Sequence, residues 1–300
     1  MAKSTFQLSD GTTITSGAPE EQGPETFSTK DFINELREEL ATNRLTLPTL
    51  PNLAIEALLV INDVDSSVND LVKVIHKDTS ITARLIRYAN SPLFKGVEPV
   101  STIKAAVTRI GFAKVKNAIY AVSMKEVFST AFKPIEKRMN ELWEHSVTVG
   151  THAATLARQQ PGLDPDMALV AGLIHDIGKI PLLVKACDHE ELCKRPDYLD
   201  TILTKLHQRL GGAVLKAWKF DPRLVAVAAE HEDTGRDPGD APVDYVDLIQ
   251  VANILSHEGS DHPLASVDRD KIKAFARLDA GSDNEPATKE QTQGIGEVFF

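Results

Sequence analysis

From about residue 28 onward, apolar residues recur at the three- and four-residue spacing of one helix face, and runs with the alternation of a strand are scarce. Ser28 is placed to cap a run carrying Phe32, Ile33, Leu36 and Leu40. Pro48 and Pro51 force an extended approach to a helix that begins near Asn52. "DSSVNDLVKVIHKD" repeats the logic, with Ser66 or Ser67 as cap and Val68, Leu71, Val72 and Ile75 on one face. "TSITARLIRYANS" stops at Asn90, Ser91 and Pro92, and "VSTIKAAVTRIGFAKVKNAIYAVSMKEVFST" reads as two helices hinged at Gly111. A break is expected at "AFKPIEKRMN", followed by the long helix "ELWEHSVTVGTHAATLARQQPG". "DPDMALVAGLIHDIGKIPLL" is expected to form a single helix, with Asp164 as cap, Pro165 in the first helical position, and Gly178 and Pro181 ending it. "DYLDTILTKLHQRLGGAVLKAWKF", "DPRLVAVAAEHED" and "PVDYVDLIQVANILSHEG" continue the helical pattern, and "DRDKIKAFARL" adds a modest helix. The pattern predicts an all-α protein with short connections.

Composition adds boundaries. The 300 residues are 42% hydrophobic and 25% charged, which suits a globular chain of one or two domains. Residues 1–28 are rich in Ser, Thr, Gly, Pro and Glu, and ordering them would return little apolar burial, so they read as a disordered tail. Residues 260–300 read as one helix and a loose end, whose Val298, Phe299 and Phe300 are placed to dock on a neighbour. The formal net charge of -10 and the lack of a Lys/Arg block argue against nucleic acid as a partner. No secretory apolar segment or membrane-length run is evident, so a cytoplasmic protein with no membrane partner is expected. Cys187 and Cys193 match neither a zinc-knuckle spacing nor a disulfide framework and read as inert thiols.

The second half concentrates imidazoles in helices otherwise bound for a core: His145, His152, His175, His207, His231 and His257. One such histidine is usually a satisfied core residue. Several together with Asp176 favour a metal site, because a neutral ring nitrogen donates to a cation without burying a net charge. In "HDIGK", His175 and Asp176 project about 100° apart on a regular helix, so both reach one ion only where that helix is ending. His145 and His152 share a helix face, and only one need reach an ion. Trp143 and Trp218 read as core anchors, and "DHEEL" as a solvated face. Arg84, Arg87, Arg109, Lys114 and Lys116 read as a solvated stripe, with a partner surface as the sharper alternative.

The order His145, His175-Asp176 followed by "IGK", His207, Glu230-His231 and "VAN" ending at Asn253 resembles the ligand order of the HD superfamily of metal-dependent phosphohydrolases. The "LPTLP" start, the "ANSPLF" turn and the "RIG" hinge resemble the narrower HDOD family, the HD-related output domain of bacterial signalling proteins, over roughly residues 40 to 256. The resemblance implies an N-terminal helical bundle, residues 29–135, packed on an HD-like helical domain, residues 136–259. It also implies that His145, His175, Asp176, His207, Glu230, His231 and Asn253 hold one or two divalent ions, with Fe, Mn, Mg and Zn as candidates. Asp176 and Lys179 would serve catalysis, with Lys179 approaching a phosphate.

Two positions depart from the catalytic pattern. Asn253 stands where an HD hydrolase has its last Asp, and Glu230 stands where the two-metal type has the first of two adjacent histidines. Losing one carboxylate weakens metal binding unless Glu230 restores the charge. The favoured expectation is therefore a regulatory module acting through contact with signalling proteins. The alternative is a divalent-metal-dependent hydrolase of a nucleotide or other phosphoester.

Overall fold

Side-chain caps fix where many of the helices start. In the computed structural model the described residues are 4–7, 13–16, 29–42, 44–45, 47–63, 65–94, 98–112, 114–130, 132–189, 192 and 195–278. They fall into two compact units, Met1–Leu45 and Thr46–Phe300. In the first, β1 (Ser4–Gln7) pairs antiparallel with β2 (Thr13–Ser16), Phe6 opposite Ile14. This ribbon lies in the stretch read as a tail; Thr and Ile favour extended pairing, a signal that the polar composition obscured. The rest of residues 1–28, and the terminal Val298, Phe299 and Phe300, lie outside the described residues. Helix α1 (Thr29–Ala41) belongs to this first unit, not to the helices that follow.

The second unit carries α2 (Asn52–Asn62), α3 (Val68–Ile75), α4 (Thr79–Ala89), α5 (Ile103–Ile110) and α6 (Val115–Val127). These are followed by α7 (Lys133–Ala157), α8 (Pro165–Ile174), α9 (Lys179–Ala186) and α10 (Pro196–Ala217). Then come α11 (Pro222–Glu230), α12 (Tyr245–Ser256) and α13 (Lys273–Arg277). The fold is all-α, and no strand occurs among the described residues of this unit. Ser67, rather than Ser66, caps α3 in a reciprocal box with Asp70, and Asp244 and Asp247 do the same for α12. Asp78, Thr102, Asp164 and Asp221 accept backbone N–H groups at four further starts.

The α7–α8 contact is the most extensive in the unit and depends on two glycines. A Cβ at Gly172 would lie 2.3 Å from the Gly150 Cα, so a side chain there would push the helices apart. Helix α12 packs on α7 and α8, while α10 packs on α9 and α11. The α2–α6 bundle joins the later helices through α6 against α8, where Lys114 pairs with Asp166 at 3.1 Å and Asp164 at 3.4 Å. Trp218 donates its indole N–H to the Pro48 carbonyl at 3.0 Å, tying the "LPTLP" start to the end of α10. Trp143 is fully buried, as expected of a core anchor.

Several basic residues read as a stripe are internal struts. Arg84 donates to the Val122 carbonyl at 3.2 Å. Arg109 reaches Asn90 Oδ1 at 2.9 Å and the Glu98 carbonyl, while the Asn90 amide bonds Val100 in both directions. The "ANSPLF" turn and the "RIG" hinge thus hold each other. Gly111 ends α5 at φ 89°, a conformation that glycine adopts without a Cβ penalty.

Three local expectations change. Helix α7 starts at Lys133, inside the expected break, because Pro134 in the first turn lacks only an N–H that has no helical partner there anyway. The single helix over residues 164–183 is two, α8 and α9, separated by the turn at residues 175–178, and Pro181 falls in the first turn of α9 instead of ending a helix. The stretch Pro165–Ala186 is long and apolar enough by composition to cross a membrane, contrary to expectation, yet 89% of its 18 most apolar consecutive residues is buried inside the fold.

Candidate metal centre

The turn between α8 and α9 puts His175 and Asp176 where a regular helix would have splayed them. Gly178 makes this possible: its missing Cβ would lie 1.9 Å from the His207 carbonyl oxygen and 2.4 Å from the Gly211 backbone nitrogen. The turn therefore seats directly on α10 at His207. Helix α11 ends with His231 as its C-cap residue and adds a further ring, and α7 supplies His145.

Asp176 lies at the centre, 1% exposed. Its Oδ2 is 3.7 Å from His145 Nε2 and 3.4 Å from His175 Nε2. Its Oδ1 is 3.3 Å from His207 Nε2 and 3.4 Å from His231 Nε2. The rings pair as well: His145 and His175 approach at 3.2 Å and His207 and His231 at 3.3 Å, each Nε2 to Nε2. Two groups able to hold an ion result, His145 with His175 and Asp176, and Asp176 with His207, His231 and Glu232.

The tautomers follow from the backbone. His175 Nδ1 faces the Gly172 carbonyl at 2.7 Å, His207 Nδ1 the Leu203 carbonyl at 2.8 Å, and His231 Nδ1 the Val227 carbonyl at 3.1 Å. A carbonyl only accepts, so Nδ1 carries the proton and a neutral ring offers Nε2 as a lone pair. Burial, stronger than the opposing pull of Asp176, keeps His175 and His207 well toward the neutral form and takes His145 from 6.5 to about 3. Burial alone would raise Asp176, but the Lys179 ammonium at 2.5 Å holds its carboxyl well below the usual range.

An ionised carboxylate thus meets imidazole lone pairs on both oxygens, and Asp176 Oδ1 has no hydrogen bond among the described residues. Lone pairs facing lone pairs repel unless a cation lies between them. Ligand atoms held about 2.1 Å from one ion sit roughly 3.0–3.4 Å apart, close to the separations found. The donor set fits a divalent metal.

The remaining predicted ligands divide. Glu230 is exposed and pairs with Arg236 at 3.1 Å, outside both groups. The carboxylate that joins is Glu232, with Oε1 3.6 Å from His207 Nε2. Asn253 is buried on α12 and its Oδ1 has no hydrogen bond among the described residues. His152 is buried on α7 outside both groups, while His257 stacks on His145 with ring centroids 4.9 Å apart. Sequence reasoning missed Glu232 because it followed the family order to position 230; the doubled acid in "EHED" was the available signal.

An all-helical unit with a buried His/Asp/Glu centre at the junction of α7, α8, α10 and α11 defines the class as an HD-type helical domain able to bind metal. The profile of the HDOD domain matches residues 47–234. This chain belongs to the HDOD family. A crystal structure of a candidate metal-dependent phosphohydrolase from Shewanella amazonensis SB2B is 30% identical, with TM-score 0.78 over 90% of this chain and 99% of that one. An HDOD domain protein of unknown function from Geobacter sulfurreducens shares the fold at 22% identity, TM-score 0.59, over 91% and 100% of the chains. A candidate signal transduction protein from Marinobacter aquaeolei VT8 does so at 17% identity, TM-score 0.56, over 90% and 65%. No functionally curated protein matches the chain.

Proposed function

We propose that this chain is a divalent-metal-binding HDOD signalling protein of the bacterial cytoplasm that hydrolyses a phosphoester. One observation carries the reading: each oxygen of the buried Asp176 faces two imidazole nitrogens, and Glu232 adds a second carboxylate to the set. The charge removed by having Asn253 rather than Asp is thereby supplied from another position. His145, His175, His207, His231, Asp176 and Glu232 would hold one or two ions. A divalent ion held there lowers the pKa of bound water and offsets charge on a phosphoryl group.

The chain's own groups divide the remaining work. His175 and His207 are held by their carbonyl bonds, so their ring orientation is preset. Lys179 and Glu232 have side chains 22% exposed and His145 20%, the open side of a centre whose other members are buried. Lys179 is thus the cation placed to meet a substrate phosphate, and its contact with Asp176 holds it there.

The experiment is turnover of a nucleotide panel and of bis(p-nitrophenyl) phosphate by untagged protein loaded with Mn(II) or Fe(II). Metal-dependent release of product that disappears in Asp176→Ala supports hydrolysis. Metal-replete protein that leaves every phosphoester intact would turn the reading to a regulatory module in which the ion is structural and the output is contact with signalling proteins.

A further inference from the structure

The imidazoles continue past the ion-binding groups. His257, the C-cap residue of α12, stacks between His145 and His262, with ring centroids 4.9 Å and 3.7 Å away and planes 26° and 11° apart. His262 is exposed and lies beyond the residues matched by the family profile. It belongs to neither ion-binding group.

The two ends of this column differ in what they offer. At its inner end the column meets His175, one of the rings that present a lone pair at Nε2. His262 does the reverse: its Nδ1 accepts the backbone N–H of Leu264 at 3.3 Å, so the proton of the neutral ring is on Nε2. Partial loss of water beside the stacked His257, and then the Lys179 charge, hold the ring toward the neutral form against the pull of Glu232 and Asp176. A protonated Nε2 is a hydrogen-bond donor and not a metal ligand. Lys179 Nζ sits 2.5 Å from Asp176 Oδ2, itself 3.7 Å from His145 Nε2, so a cationic donor stands at the inner end of the column and a neutral one at its outer end.

We infer that His262 Nε2–H, two stacked rings out from His145, forms an outer anion site that takes a second phosphoryl group, the first lying at the metal centre beside Lys179. The substrate class is then a phosphoester with two linked phosphates, such as a nucleoside diphosphate, the first phosphate at the metal centre and the second at His262. This rests on the phosphohydrolase reading.

The test compares calorimetric binding of inorganic phosphate and of methylene diphosphonate to Mn(II)-loaded protein, with metal content read before and after each titration. The expected result is diphosphonate bound about tenfold or more tightly than phosphate, in line with a hydrogen bond to a charged group. His262→Phe, which keeps a stacking ring but no donor, should lose most of that preference while phosphate binding and metal content stay unchanged. His262→Gln, which keeps an N–H, should retain much of it. Equal affinities in the wild type, an unaffected Phe variant or a Gln variant as weak as Phe would overturn the outer site while leaving the metal reading intact. Protein that never holds manganese would overturn both.

Discussion

The helices α2–α6 and the helices α7–α12 are built on the same caps and the same apolar packing, yet their interiors differ. Among the described residues from 47 to 130 the buried polar side-chain groups are Ser91, Ser123 and the Tyr88 hydroxyl. From residue 133 to 256 they include His152, Asp166, His175, Asp176, Lys185, His207, His231, Asp247, Gln250 and Asn253. Burying such groups without partners costs free energy that a purely structural core avoids. The first region therefore shows what this fold needs in order to pack, and the second carries, besides Asp166, Asp247 and Gln250 with their structural partners, an imidazole–carboxylate cluster that packing does not explain. The family motifs divide in the same way: Asn90 and Arg109 fasten a loop, whereas His175 and Asp176 face other donors.

That contrast breaks most sharply at the one place where packing and chemistry are the same contact. Gly178→Ala puts a methyl 1.9 Å from the His207 carbonyl, where backbone has nowhere to go. A loss of more than about 3 kcal/mol is expected, together with loss of bound metal, read by thermal melts and elemental analysis. Leu85→Ala, in the fully buried core of α4, should cost about 2–5 kcal/mol and leave the metal content of the folded protein unchanged. Should Leu85→Ala also empty the site, the two regions would not be separable.

Smaller effects sharpen the picture within the second region. Glu232→Gln should weaken Mn(II) affinity by about 10–100-fold in a competition titration, whereas Glu230→Gln, which only breaks a surface pair with Arg236, should leave it unaltered. Equal effects would place the acid at 230 after all. Metal-free protein should also be acid-labile. The unfolded His145 binds a proton below 6.5 and the folded one only near 3, so its contribution to stability is fully present above 6.5 and is lost as pH falls through that interval. His175 and His207, whose pKa values are also lowered, act in the same direction. A Tm that declines from pH 7 to pH 5 in chelator is expected; a flat profile would mean that the rings are solvated.

Much of this was legible in the sequence because the signals are local. Capping residues and apolar spacing located the helices, and the order of His145, His175, Asp176, His207 and His231 marked five side chains that the fold brings together. What stayed hidden depends on chain direction after a helix ends. Glu232 lies just past the His231 cap, where the helical period no longer says which way a side chain points. His262 lies in an irregular segment and reaches the column only by stacking on His257. The division between α8 and α9 was hidden for a different reason, since the close seat of Gly178 on α10 is a tertiary contact.

The most direct measurement is the divalent metal content of untagged protein, purified without chelator and read by elemental mass spectrometry beside Asp176→Asn. An Asp176 shared by both donor groups predicts one to two ions per chain in the wild type and loss of metal from both groups in the variant. Wild-type protein free of metal after incubation with Mn(II) and Fe(II), or a variant that retains the full content, would contradict it.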